Sequence, residues 1–212
     1  MENTDNTTDQ VKRIQNFYRL HARLYEATRW TFLFGRRRML DYLHLSPGSE
    51  KMVLEVGCGT GHNLHALARR HPQLQLRGVD VSPDMLEVAG ARLRPFISRV
   101  RFLEMPYAPG SPALGFQPDI ILFSYCLTMI NPGWEAALQR AYENLAPGGR
   151  IAVVDFHGSS FGFFQHWMKM NHVRMDEHLL PALEKQFAGV HKEVRRAYGG
   201  LWTYFLYVGI KY

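Results

Sequence analysis

The chain has 212 residues, enough for one α/β domain with a full core, and nothing in its composition asks for a second independent one. Its formal charge is +6, from 25 Lys and Arg against 19 Asp and Glu. The two cysteines, Cys58 and Cys126, exclude a disulfide framework or a cysteine metal cluster. No secretory apolar region and no run of about eighteen uncharged apolar residues occurs, so a cytoplasmic protein that does not span a bilayer is expected.

In chain order, Ile14, Phe17, Tyr18, Leu24, Tyr25, Thr28 and Phe32 recur at mostly helical spacings and predict one or two amphipathic helices ahead of the sheet. Between Val11 and Leu40 stand eight Lys and Arg against the single acid Glu26, a larger excess than that of the whole chain. Basic helices of this kind suit nucleic acid or an anionic membrane, the plain alternative being a solvated face. A short helix over 37–43 ends at Ser46-Pro47-Gly48. The expected organisation is a helical lid and membrane-docking segment over 1–45 and a cofactor-binding domain over 46–212.

Apolar runs then alternate with helical stretches. Strands are predicted over 51–56, 76–81, 100–103, 119–123 and 151–156, and helices over 62–69, 134–145, 163–169 and 175–187. A further helix starts at Ser82-Pro83-Asp84, with Ser82 as cap and Pro83 in the first turn. The tail, 190–196 and 201–211 around Gly199-Gly200, reads as a hairpin. The whole is an α/β doubly wound sheet of seven strands that ends antiparallel.

The strongest signal is Glu55-Val-Gly-Cys-Gly-Thr-Gly-His-Asn63 after the first apolar run, with Asp80 ending the second. Gly57, Gly59 and Gly61 let the main chain turn sharply and approach a cofactor, and Asp80 stands one βα unit later, where a carboxylate meets a ribose. The spacing is not that of the dinucleotide fingerprint, and no Gly-Lys-Ser/Thr follows to wrap phosphates. Glu55 decides the nucleotide. A carboxylate beside a pyrophosphate costs electrostatic energy, whereas beside a sulfonium and its ammonium group it helps.

With this loop the chain resembles the class I S-adenosylmethionine-dependent methyltransferases. The resemblance, over about residues 50–157, implies S-adenosylmethionine as cofactor and S-adenosylhomocysteine as its product. It places Glu55 at the methionine end, the three glycines along the middle, Asp80 on the ribose, Val81 beside adenine and Glu104 and Met105 at the adenine edge. Tyr125, after the fourth strand, takes the roof of the methyl-donor site.

Catalytic candidates cluster at strand ends: Tyr125, and Asp155 and His157 after the fifth strand. For Asp155 the alternative is a loop cap, and for His157 a surface histidine. Tyr18 and Tyr25 are seven apart and share a helical face. If that face closes over the cofactor, its rings shape the donor pocket and its hydroxyls orient an amine; simple packing is the alternative.

Tyr18-Arg-Leu-His-Ala-Arg-Leu-Tyr-Glu-Ala-Thr-Arg-Trp-Thr-Phe-Leu-Phe-Gly-Arg36, Phe123-Ser-Tyr-Cys-Leu-Thr-Met-Ile130, Val154-Asp-Phe-His157 and Asn171-His-Val173 resemble the bacterial diacylglyceryl-homoserine N-methyltransferases of betaine-lipid synthesis. In that family an aromatic residue stands at position 171 and a glycine at 157, so Asn171 and His157 depart from it. The resemblance implies successive methylation of the amine of a membrane glycerolipid by a protein held peripherally at the inner face of the membrane. Phosphatidylethanolamine or an ornithine lipid are alternative acceptors, and a non-catalytic membrane-binding regulator is an alternative function. The Asp/Asn-Pro-Pro-Tyr/Phe loop of nucleic-acid amino-methylating enzymes is replaced by Ser124-Tyr-Cys-Leu127, so no nucleic-acid partner is expected. The oligomeric state is left open.

Overall fold

A computed structural model describes residues 32–212. Helices expected over 11–31, and with them Tyr18 and Tyr25, lie outside the described residues. The elements are α1 (Arg36–Asp41), β1 (Met52–Val56), α2 (His62–Arg70), β2 (Gln75–Asp80), α3 (Pro83–Leu93), β3 (Val100–Glu104), β4 (Ile120–Ser124), α4 (Trp134–Asn144), β5 (Arg150–Gly158), α5 (Gly162–Met170), α6 (Leu179–Gln186), β6 (Ala188–Ala197) and β7 (Trp202–Ile210).

All seven strands form one sheet in the order β3-β2-β1-β4-β5-β7-β6. The first five run parallel, and β7 is antiparallel to both β5 and β6. This is the Rossmann-like α/β fold of class I methyltransferases, with the predicted terminal hairpin. Strand order reverses between β1 and β4, and at such a point the chain leaves the sheet to both sides and opens a crevice at the carboxyl ends of the strands.

Burial follows from covering both faces. The apolar run of β4 is buried at every position, as a central parallel strand requires. On one face Met39 and Leu40 of α1, Leu64 and Leu67 of α2, and Phe164 and Met168 of α5 pack together with Val154 and Leu206. On the other, Ala137, Leu138 and Ala141 of α4 and Leu180 and Leu183 of α6 pack with Phe123, Val153 and Phe205. Edge strand β6 alternates and carries Lys192, Glu193, Arg195 and Arg196, charges that discourage further strand pairing.

Three boundaries differ from the predicted ones in ways that matter. Strand β5 continues to Gly158 because β7 extends the ladder to Thr203, so Asp155 and His157 lie within the strand and not after it. Strand β2 stops at Asp80, which leaves Val81 in the connection. The helix predicted from 175 begins at Leu179: Glu177 has φ +63°, a left-handed backbone through which an α-helix cannot run.

Candidate active site

The glycine loop joins β1 to α2 at the strand reversal. Gly57 and Gly61 have no room for a side chain, since a Cβ would stand 2.8 Å from Cys126 Cβ and 2.8 Å from Leu93 Cδ1 respectively. Gly59 differs: φ is +51° and its missing side chain would point into open space, leaving bare backbone there. Asp80 Oδ2 accepts from the Gly59 amide at 2.7 Å and its Oδ1 from the Ser82 amide at 3.0 Å. One carboxylate therefore fixes both the glycine loop and the turn into α3, whose cap is the predicted Ser82 accepting from the Met85 amide.

Beside the loop lies a cavity of about 1160 Å³ faced by Gly57, Cys58, Gly59, Glu55, Asn63 and Ser124, and by Leu33, Gly35 and Tyr204 on its other side. Glu55 is 1% exposed, and burial raises its carboxyl to about 7 against the opposing effects of Arg36 and Asn63. Its Oε1 accepts from Asn63 Nδ2 at 2.7 Å, and Asn63 Oδ1 accepts from Arg36 Nε at 3.1 Å. Glu55 Oε2 has no hydrogen-bond partner among the described residues. Such an oxygen, buried and without a partner, is costly in its ionised form unless a cation meets it.

Much of the remaining lining is cationic: Arg36, Arg37 and Arg38 from α1, Arg69 and Arg70 from α2, and Arg92 from α3 face the cavity, with Glu55 its one acid among the described residues. Arg70 pairs with Asp41 at 2.7 Å and Arg38 with Glu193 at 3.3 Å, while Arg92 donates to Thr60 O and Oγ1 at 2.5 and 2.7 Å. The histidines His62 and His65 are pushed below the ordinary imidazole range, first by burial and then by these guanidinium groups.

Tyr125 follows β4 with φ +54°, a left-handed conformation that costs energy for an aromatic residue. Its amide donates to Val154 O at 2.8 Å, and its hydroxyl to Phe34 O at 2.8 Å. The ring is 1% exposed and packs edge-on to Phe156 at 4.8 Å. Tyr125 thus anchors the segment entering α1 over the site, as a roof would.

The other candidates divide. Asp155 is fully buried. Its Oδ1 accepts from Thr128 Oγ1 at 2.5 Å and from the Phe156 amide at 2.8 Å, and its Oδ2 from the Thr128 amide at 3.3 Å. It caps the turn after β4, and burial, partly offset by Thr128, lifts it to about 6. His157 has its Nε2 3.9 Å from Glu177 Oε2 and its ring against Phe205, the residue paired with Asp155 across the β5–β7 ladder. Of the residues expected at the site, Glu55, Gly57 and Gly59 line the cavity, whereas Gly61, Asp80, Val81, Glu104, Met105, Tyr125, Asp155 and His157 do not. Glu104 stands opposite Asp80 in the β2–β3 register; Val81 is half exposed and Met105 is buried in the core. Asn63, Arg36, Ser124 and Tyr204 were not singled out by the sequence. Asn63 ends the loop motif, and Arg36 and Ser124 stand within the segments compared above, whereas Tyr204 carried no signal.

The combination fits S-adenosylmethionine: an unpaired carboxylate for an ammonium, a guanidinium within the same hydrogen-bonded chain for a carboxylate, a bare backbone strip at Gly59, and Asp80 one strand away for a ribose. Residues 53–149 match the family described as a methyltransferase domain. The trans-aconitate 2-methyltransferase of Paracidovorax citrulli is 33% identical over 101 residues, 48% of this chain and 37% of that protein. The demethylmenaquinone methyltransferase of Thermus thermophilus is 33% identical over 135 residues, 61% of this chain and 57% of that protein. The chain therefore spans about half the length of these curated relatives. Among solved structures, the N-methyltransferase NodS of Bradyrhizobium japonicum in complex with S-adenosylhomocysteine aligns with a TM-score of 0.67 at 20% identity, covering 84% of this chain and 87% of that one. Residues 53–149 thus match a methyltransferase domain, and the chain has the class I methyltransferase fold.

Proposed function

We propose that the protein is an S-adenosylmethionine-dependent N-methyltransferase that methylates the amine of a membrane glycerolipid, with diacylglyceryl-homoserine as the preferred acceptor. The observation that carries methyl transfer is Glu55, which is buried, lines the cavity beside the glycine loop and keeps one carboxyl oxygen without a hydrogen-bond partner among the described residues. The lipid acceptor is supported by the segments 18–36, 123–130, 154–157 and 171–173, which lie largely outside the matched 53–149, and by the apolar side of the cavity at Leu33 and Tyr204. The curated relatives are named for other acceptors, and they match 48–68% of this chain.

When bound, S-adenosylmethionine supplies an electrophilic methyl group on a sulfonium. Glu55 and Asn63 hold its ammonium end, Arg36 its carboxylate and Asp80 its ribose. Tyr125 holds the segment at Phe34 over the site and keeps water out. The acceptor amine must be neutral, and the arginines around the cavity disfavour its protonated form. Ser124 Oγ, 7% exposed as a residue and without a hydrogen-bond partner among the described residues, is placed to accept from the amine N–H.

The test is methyl incorporation from labelled donor into detergent-dispersed diacylglyceryl-homoserine, phosphatidylethanolamine, ornithine lipid, trans-aconitate and a demethylated quinone. Preference for the homoserine lipid is expected. Preference for any other compound overturns the acceptor, and donor binding without transfer to any lipid favours the regulator reading.

A further inference from the structure

Helix α5 has two apolar sides. Phe164 and Met168 enter the core, while Phe163, His166, Trp167 and Met170, at i, i+3, i+4 and i+7, form an outward stripe. Phe163 is 70% exposed and Met170 65%. A soluble surface does not ordinarily gather such residues, and all the exposed phenylalanines and the one exposed tryptophan among the described residues fall at this end of the molecule: Phe34, Phe161, Phe163 and Trp167.

The patch is continuous with the cavity. Trp167 meets Phe32 at 6.2 Å between ring centroids, Phe32 meets Tyr198 at 6.3 Å, Tyr198 meets Phe34 at 5.3 Å and Phe34 meets Tyr204 at 6.1 Å. Tyr204 faces the cavity, as do Arg36 and Arg37, the residues that follow Gly35. From Phe156 to Met175 the chain has no Asp or Glu, and Lys169 lies on the exposed part of α5. Tyr204 thus links the aromatic cluster to the cavity that Arg36 and Arg37 also line.

We propose that this rim, the outward stripe of α5 with Phe34 and Tyr198 and the neighbouring exposed Arg37, rests on an anionic bilayer, so that the cavity opens directly onto the lipid surface. The inference deepens the lipid reading and rests on it. Aromatic rings at the level of the headgroups and guanidinium groups on lipid phosphates are the two contributions a peripheral protein combines. A second protein copy would be served by the apolar stripe alone; the adjoining cations single out an acidic surface.

Flotation of the full chain with phosphatidylglycerol vesicles that contain no amine lipid tests this apart from catalysis. We expect the wild type to float and the double variant Phe163→Asp/Trp167→Asp to lose association by about 10-fold or more while S-adenosylhomocysteine binding, read by calorimetry, is kept. Arg37→Glu should weaken association at low salt, and the difference should shrink at high salt. Absence of wild-type flotation, or equal flotation of the double variant, overturns the proposal. So does a wild-type dimer that the double variant turns into a monomer without any vesicle binding. Because these vesicles offer no acceptor, loss of docking and failure of methyl transfer to dispersed lipid are separate results.

Discussion

The Tyr125 hydroxyl donates to the Phe34 carbonyl at 2.8 Å, joining the exit of β4 to the segment that enters α1 across 91 residues of chain. Tyr125→Phe removes that bond and leaves the Phe34 carbonyl to find water. A loss of about 1 kcal/mol in stability is expected, read as a lower urea midpoint at unchanged slope. A larger rise in donor KM than fall in kcat should accompany it, because the roof and not the reacting atoms is disturbed.

Glu55 gives a pH dependence with a defined sign. Its folded carboxyl titrates near 7 against an ordinary value of 4.5. Its contribution to stability is therefore full below pH 4.5 and is lost as the pH rises through 7, by on the order of 3 kcal/mol. Glu55→Gln should make the donor-free protein more stable at pH 8 and weaken S-adenosylhomocysteine binding. In the wild type that affinity should climb as the pH passes through 7, with proton release on binding below it, measured by calorimetry in buffers of different ionisation enthalpy.

Arg36 lies outside the residues matched to the methyltransferase family, yet it is hydrogen-bonded into the Glu55–Asn63 chain. Arg36→Gln should cut S-adenosylhomocysteine affinity by about 10-fold, the scale of one charge-assisted hydrogen bond, with the melting temperature little changed. Sinefungin, which keeps the amino and carboxyl groups, should lose as much. Methylthioadenosine, which lacks both, should lose nothing.

Asp155 acts through Thr128 and is a positioning residue. Asp155→Asn and Thr128→Val should each destabilise by about 1–3 kcal/mol, and the double variant by less than the sum. The shift of Asp155 to about 6 has the same sign as that of Glu55, so its contribution is full below pH 3.8 and is lost as the pH rises through 6. Thermal unfolding of Asp155→Asn across pH 4 to 8 should lack that component.

Much of the fold could be read in the residues because local and tertiary preferences agree. The buried runs of β1, β4 and β5, the Ser82-Pro83 start of α3 and the Gly199-Gly200 turn say the same thing at both levels. The extent of β5 could not be read, since it depends on how far β7 pairs along it. Nor could the start of α6, where the left-handed Glu177 is set by its surroundings and not by glutamate itself. At the site, Glu55, Asp80 and the glycines follow one local motif. Arg36 and Tyr204 reach the same cavity from α1 and β7, 27 residues before Asn63 and far beyond it, and periodicity carries no information about such meetings.

The hairpin also bears on the order of assembly. Strand β7 is made after both of its neighbours, yet it sits between them in the sheet. During synthesis β6 emerges with no partner, and the outer edge of β5 stays open until Trp202–Ile210 has left the ribosome. The nascent chain must therefore shelter an open parallel sheet until its final pairing, and this interval is where a chaperone would matter most.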